Sequence, residues 1–171
     1  QIAELLANKG FNIDRKTIAE RPCFLCEHNR PSVQGKKVVG NGFDLLVNPF
    51  PILPIHFTIV ANEHIPQRIM QCYGEMLDLL TAYPELMVFY NGPKSGASAP
   101  DHAHLQAGTN GLLPLQNAWQ RLSRNLTPLV TDHDKVPAEG QASQGIFRIT
   151  DYPLPAYLVT APSAEDTMRH F

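Results

Sequence analysis

Apolar residues along the chain fall into runs of two periods. Between Pro66 and Pro84, the positions Ile69, Cys72, Met76, Leu79, Leu80 and Tyr83 recur every three to four residues, the stripe of a helix with one buried face. Pro84 ends that helix, because proline has no amide hydrogen to continue the ladder. Phe43–Val47 and Phe57–Ala61 are short apolar runs bounded by Gly, Asn and Pro. They predict two strands, neighbours in one antiparallel sheet, joined by the proline-rich link 49–54. Leu86–Tyr90 predicts the next strand. After it comes the small-residue loop Asn91-Gly92-Pro93-Lys94-Ser95-Gly96-Ala97-Ser98, then a run that alternates polar and apolar: His102, Ala103, His104, Leu105, Gln106, Ala107. Alternate residues of a strand share a face, so His102, His104 and Gln106 are expected on one side with Ala103, Leu105 and Ala107 packed behind.

The flanking segments carry weaker patterns. Ile2, Leu5 and Leu6 form a short helical stripe before a turn at Gly10, and a second short helical pattern runs from Asp14 to Glu20 until Arg21-Pro22 breaks it. Beyond Gly108, Leu115–Leu122 reads as helical, and Leu126–Val130, Ile146–Thr150 and Ala156–Thr160 read as strands. The polar stretch from Thr131 to Gly145 reads as a loop. Ser163 is placed to cap a helix so close to Phe171 that the polypeptide is expected to be a piece of a longer chain, as does its first residue, which is not Met. The pattern contains no internal repeat. It predicts an α+β fold, an antiparallel sheet with a long covering helix, in one domain over residues 1–171.

Composition narrows the function. The 171 residues are 43% hydrophobic and 18% charged, values of an ordinary globular fold, with enough chain to bury a core without covalent staples. A formal net charge of −2 argues against sequence-independent nucleic-acid binding, which needs a concentrated basic surface. No apolar run approaches the ~20 residues of a membrane-spanning helix, and the first ten residues do not read as a signal peptide, so a cytoplasmic protein is expected. Three cysteines are too few for a disulfide scaffold. Cys72, within the helical stripe, is expected in the core.

The row of two imidazoles and an amide, fed by a Gly/Ser loop, points to phosphate chemistry. Such a loop can aim backbone N–H groups at an anion, and a neutral imidazole is a nucleophile or a metal ligand near pH 7. Ser95, Gly96 and Ser98 are the candidate donors to phosphate oxygens, and Gln106 can donate its amide to the same group. Lys94 is either a phosphate contact or a solvated loop lysine, and Asn91 either a nucleotide contact or a turn residue. Cys23 and Cys26, two residues apart, read as half of a zinc site, as inert core thiols, or as a redox pair. His56, ahead of its strand, reads as a packed or surface residue, and His28, His133 and His170 as solvated. Trp119 and Phe147 can wall a base pocket or pack in a core.

The row, its loop and the upstream pattern resemble the histidine triad (HIT) superfamily, in the branch of galactose-1-phosphate uridylyltransferase and diadenosine tetraphosphate phosphorylase, where Gln replaces the third histidine. Cys23-x-x-Cys26, Asn48-Pro49-Phe50-Pro51 and the strand leading to His64 come in similar order, so the resemblance spans about residues 21 to 108. The transferases run Pro directly into the first histidine and place Pro between the two; here Asp101 intervenes and Ala103 stands between. The resemblance implies a HIT-like fold and nucleotidyl transfer through a covalent nucleotidyl-histidine on His104. It implies a nucleotide-sugar or dinucleoside polyphosphate substrate, with phosphate or a sugar phosphate as acceptor. It nominates His64 and His102 to complete a structural zinc site with Cys23 and Cys26, and implies pairing into a homodimer. A HIT-type hydrolase and a zinc-stabilised nucleotide-binding module without turnover are the alternatives.

Overall fold

A computed structural model describes residues 14–131 and 144–168 of the chain. The expected first helix and turn, residues 1–13, most of the loop expected from Thr131 to Gly145, and His133 and His170 lie outside the described residues. The chain divides into two compact units, Gln1–Asn110 and Gly111–Phe171.

The first unit is built on a five-stranded antiparallel sheet in the order β1-β2-β3-β5-β4, with β1 Lys36–Val39, β2 Phe43–Val47, β3 His56–Ala61, β4 Leu86–Phe89 and β5 His104–Thr109. Helix α1, Arg15–Glu20, begins where the Asp14 carboxylate accepts the amides of Lys16 and Thr17. A 3-10 turn at Glu27–Asn29 follows the paired cysteines. Helix α2, Ile69–Ala82, is the covering helix that the apolar stripe predicts. It buries Cys72 and Leu79 with Met76 and Tyr83 packed alongside, while Leu80 turns out to be 36% exposed.

The sheet has two different faces. One carries Phe43, Ile59, Ala61, Leu105 and Ala107 against Cys72 and Leu79 of α2. The other carries Leu46 and Val60, packed with Cys23, Leu25 and Ala99. His104 and Gln106 belong to this second face, opposite Val60 and Thr58 of β3. The expectation that Leu105 and Ala107 back the reactive row holds. His102 departs from it: the strand begins at His104, and His102 lies in the preceding turn.

The second unit is a three-stranded antiparallel sheet of β6 Leu126–Thr131, β7 Gly145–Ile149 and β8 Ala156–Thr160, in that order. The register shifts between Pro128 and Val130, on an edge strand, where a residue without an amide hydrogen is tolerated. The helical pattern 115–122 forms two short helices, α3 Pro114–Asn117 and α4 Trp119–Leu122, broken at Ala118. Helix α5, Ala164–Met168, starts where the Ser163 hydroxyl accepts the Asp166 amide. No helix among the described residues is long and apolar enough to cross a membrane.

Candidate functional site

His104 is held at one ring nitrogen and along its backbone. Its Nδ1 lies 2.8 Å from the carbonyl oxygen of His102, so that nitrogen carries the proton and donates it. Nε2 is left with its lone pair, in a residue that lines a cleft of about 490 Å³. Burial pushes the imidazole below its ordinary 6.5, against the opposing pulls of the His102 carbonyl and the Asp101 charge, and favours the neutral ring. The backbone at His104 is fixed by a side chain. Beyond the point where β4 stops pairing, the amide of Gln67 takes the place of a neighbouring strand: its Oε1 accepts the His104 N–H at 2.7 Å and its Nε2 donates to the His104 carbonyl at 3.0 Å. The same Nε2 also donates to the Asn91 carbonyl at 3.0 Å.

Gln106 is oriented by His56. The Ile52 N–H donates to His56 Nδ1 at 3.1 Å, so the ring proton sits on Nε2, which donates to Gln106 Oε1 at 2.8 Å. The Gln106 amide nitrogen is therefore the end turned away from His56, and Gln106 lines the cleft beside His104. His56 is buried and stacks on Phe89, with ring centroids 5.9 Å apart. Asn48 bridges the region, donating to the Thr58 hydroxyl at 3.1 Å and accepting the Phe50 amide at 2.8 Å. The rest of the wall is apolar, from Phe24, Leu25, Leu46, Phe50 and Ile52.

Cys23, Cys26, His64 and His102 form a group that could hold a metal ion, their ligand atoms all within 4.8 Å of one another. Zinc with bonds of about 2.3 Å to sulfur and 2.0 Å to nitrogen needs sulfur–nitrogen separations of about 3.5 Å across a tetrahedron. The Cys23–His102, Cys26–His64 and Cys26–His102 pairs stand at 3.4, 3.2 and 3.6 Å, each through histidine Nδ1. His102 Nε2 donates to the Ala61 carbonyl at 2.7 Å, which leaves Nδ1 as a lone pair facing the sulfurs, as a ligand requires. Burial pushes the Cys23 thiol up to about 11, so an ion there would have to displace its proton. The donor set fits zinc.

The structure thus separates the row. His104 and Gln106 face the cleft, and His102 faces the cysteines. Of the loop residues, Ser98 lines the cleft. Lys94, Ser95 and Gly96 are exposed on the turn, Gly96 with φ of 87°, and Asn91 is half-buried; none of these four lines the cleft. His28 is exposed on its turn, Cys72 is fully buried, Phe147 is buried and Trp119 is 38% exposed. Sequence reasoning left Gln67 unremarked and His56 undecided. A buried Gln two residues before a helix has no motif, and only the β3–β5 register brings His56 to Gln106.

The fold and site define a class: an antiparallel α+β protein with a neutral histidine in an apolar cleft beside a Cys2His2 cluster. Residues 4–109 match a family model described as Domain of unknown function (DUF4922), and the chain belongs to that family. It is also similar to Protein APA1 of Saccharomyces cerevisiae, 43% identical over 77 residues, covering 37% of this chain and 23% of that protein. Diadenosine tetraphosphate phosphorylase 2 of the same yeast is 39% identical over 85 residues, covering 39% of this chain and 25% of its own length. The chain spans about a quarter of the length of these curated relatives. These matches bear out the resemblance to the phosphorylase branch of the histidine triad superfamily. No solved structure matches significantly.

Proposed function

We propose that the chain carries the nucleotidyl-transfer site of a phosphorylase acting on a dinucleoside polyphosphate or nucleotide sugar, on a HIT-like fold. The observation that carries this reading is the lone pair of His104 Nε2, presented to the cleft by a ring whose other nitrogen is committed to the His102 carbonyl. Phe24, Leu25, Leu46, Phe50 and Ile52 supply flat apolar walls for a base, and 490 Å³ suits a mononucleotide-sized ligand. The name of one yeast relative, a diadenosine tetraphosphate phosphorylase, supports the same substrate class.

Nε2 attacks the α-phosphorus and forms a P–N bond, and the P–O bond to the departing polyphosphate breaks with its electron pair leaving on oxygen. The Nδ1 proton stays on the ring and its hydrogen bond to His102 stabilises the imidazolium. The Gln106 amide, its orientation set by His56, donates to a phosphate oxygen or to the departing one. The Ser98 backbone or hydroxyl adds a donor at the wall. Inorganic phosphate then attacks, the P–N bond breaks, and the neutral ring returns. Lys94, Ser95, Gly96 and Asn91 join the phosphate contacts if the turn from Gly92 to Ser98 closes over the bound ligand. Zinc held by Cys23, Cys26, His64 and His102 supplies structure, fixing the two thiolates and the turn at His102 whose carbonyl orients His104.

Dinucleoside polyphosphates and nucleotide sugars, offered with and without inorganic phosphate and scored for mononucleotide release, test the reading. Release that requires phosphate is expected. Equal release in water alone would identify the hydrolase, and nucleotide binding with no release the non-catalytic module.

A further inference from the structure

Asp101 is the residue that parts this chain from the Pro-first pattern of the transferases, and the transfer chemistry leaves it without a part. Its Oδ1 accepts a hydrogen bond from Arg21 Nη2 at 3.1 Å, and its Oδ2 lies 3.6 Å from His64 Nε2. His64 is the exposed member of the four-residue cluster, its side chain 45% accessible, whereas Cys23 and His102 are buried. With Nδ1 turned to Cys26, the Nε2 edge of its ring points away from the sulfurs and toward Asp101. An exposed histidine that is free to rotate is a poor ligand. A carboxylate on its second nitrogen fixes the tautomer and the orientation of the ring. The 3.6 Å separation is within ion-pair reach and becomes a hydrogen bond after about half an ångström of ring movement.

Asp101 is itself held in place. The Arg21 side chain is only 10% accessible, lies over the Phe24 ring at 5.2 Å between the two cysteines, and makes a second, longer contact to the Ser98 carbonyl at 3.4 Å. The guanidinium thereby fixes the carboxylate relative to the cysteine loop, which carries the other half of the ligand set. A hollow of about 460 Å³, lined by Arg21, Cys23, Cys26, His64 and Asp101, opens beside the cluster and gives an ion or a chelator a route in.

We propose that Asp101, clamped by Arg21, is the outer-shell carboxylate of the metal centre and locks His64 in its ligating orientation. This rests on the Cys2His2 reading. Asp101 and Arg21 act as positioning residues, and the readout is metal retention.

The full chain is loaded with zinc, and transfer of the ion to a chromophoric chelator is followed for the wild type, Asp101→Asn, Arg21→Met and Leu79→Ala. Asp101→Asn is expected to weaken zinc binding by about 10- to 100-fold, the usual effect of losing an outer-shell partner, and Arg21→Met to shift it in the same direction by less. Leu79→Ala, in the α2 core, should lower the melting temperature and leave zinc retention unchanged. Wild-type retention in Asp101→Asn would overturn the proposal, as would zinc loss from Leu79→Ala matching that of Asp101→Asn. Cobalt substitution separates the two levels: a wild type without the thiolate charge-transfer bands of a four-coordinate site would overturn the metal centre itself. Those bands in the wild type, with equal cobalt affinity in Asp101→Asn, would sink the outer-shell role alone.

Discussion

The Nδ1 proton of His104 is committed to a carbonyl 2.8 Å away, and burial disfavours a second proton on Nε2. Both effects act toward a neutral imidazole with one outward lone pair. Gln106 depends on its neighbour in a similar way. Its amide presents nitrogen to the cleft because His56 Nε2–H claims the oxygen, and His56 has that tautomer because the Ile52 amide occupies Nδ1. Replacing His56 with Phe keeps a ring to stack on Phe89 and removes both hydrogen bonds. His56→Phe is expected to lower kcat/KM by about 10- to 100-fold, somewhat less than outright loss of a transition-state donor, with the circular dichroism spectrum unchanged. Kinetics equal to wild type would show that Gln106 needs no such partner. At this scale His104 and Gln106 were legible in the sequence, because alternation in a strand is a local rule. His56, Gln67 and the turning away of His102 were not. Each depends on which residues meet across β3, β5 and the loop ahead of α2.

Among the elements, α2 and strands β2, β3 and β8 match their apolar runs closely: α2 buries one stripe and its period records it, β2 and β3 are buried on both faces and read as continuous apolar runs, and β8 is a short half-buried run set off by prolines. Strand β1 was missed for the opposite reason. It lies at the sheet edge and reads Lys-Lys-Val-Val, with only Val39 buried, so it carries the charges that protect an edge and almost no alternation. The link between β2 and β3 is where element geometry reaches the site. It passes so close over β5 that a methyl group on Gly108 would run into the Leu53 side chain and stand 2.7 Å from the Ile55 carbonyl. Gly108→Ala must therefore push the link outward, and Phe50 and Ile52 of the cleft wall with it. The expected outcome is a loss of about 1–3 kcal/mol of stability, as for other overpacked sites, together with weaker nucleotide binding at unchanged zinc content. Wild-type melting and affinity in Gly108→Ala would mean that the link is free to yield.

The sheet of the first unit carries α2 on one face and the cysteine loop with the cleft on the other. The Cys2His2 cluster joins the loop of residues 23–26 to His64 and His102, which lie just beyond the paired ends of β3 and β5. One ion would therefore fix the loop whose Phe24 and Leu25 wall the cleft and the turn whose carbonyl orients His104. The Cys-x-x-Cys pair could be read from spacing alone, but its completion by His64 and His102 came from the family resemblance and then from the geometry. The DUF4922 match, residues 4–109, coincides with the first unit, Gln1–Asn110. The central claim is that His104 becomes covalently nucleotidylated, and the most direct measurement is the intact mass of the protein after incubation with a dinucleoside polyphosphate in the absence of phosphate. A gain of one nucleoside monophosphate is expected, acid-labile and mapping to His104, that disappears on adding phosphate and never forms on His104→Gly. Turnover by the wild type with no such adduct, or undiminished turnover by His104→Gly, would contradict it.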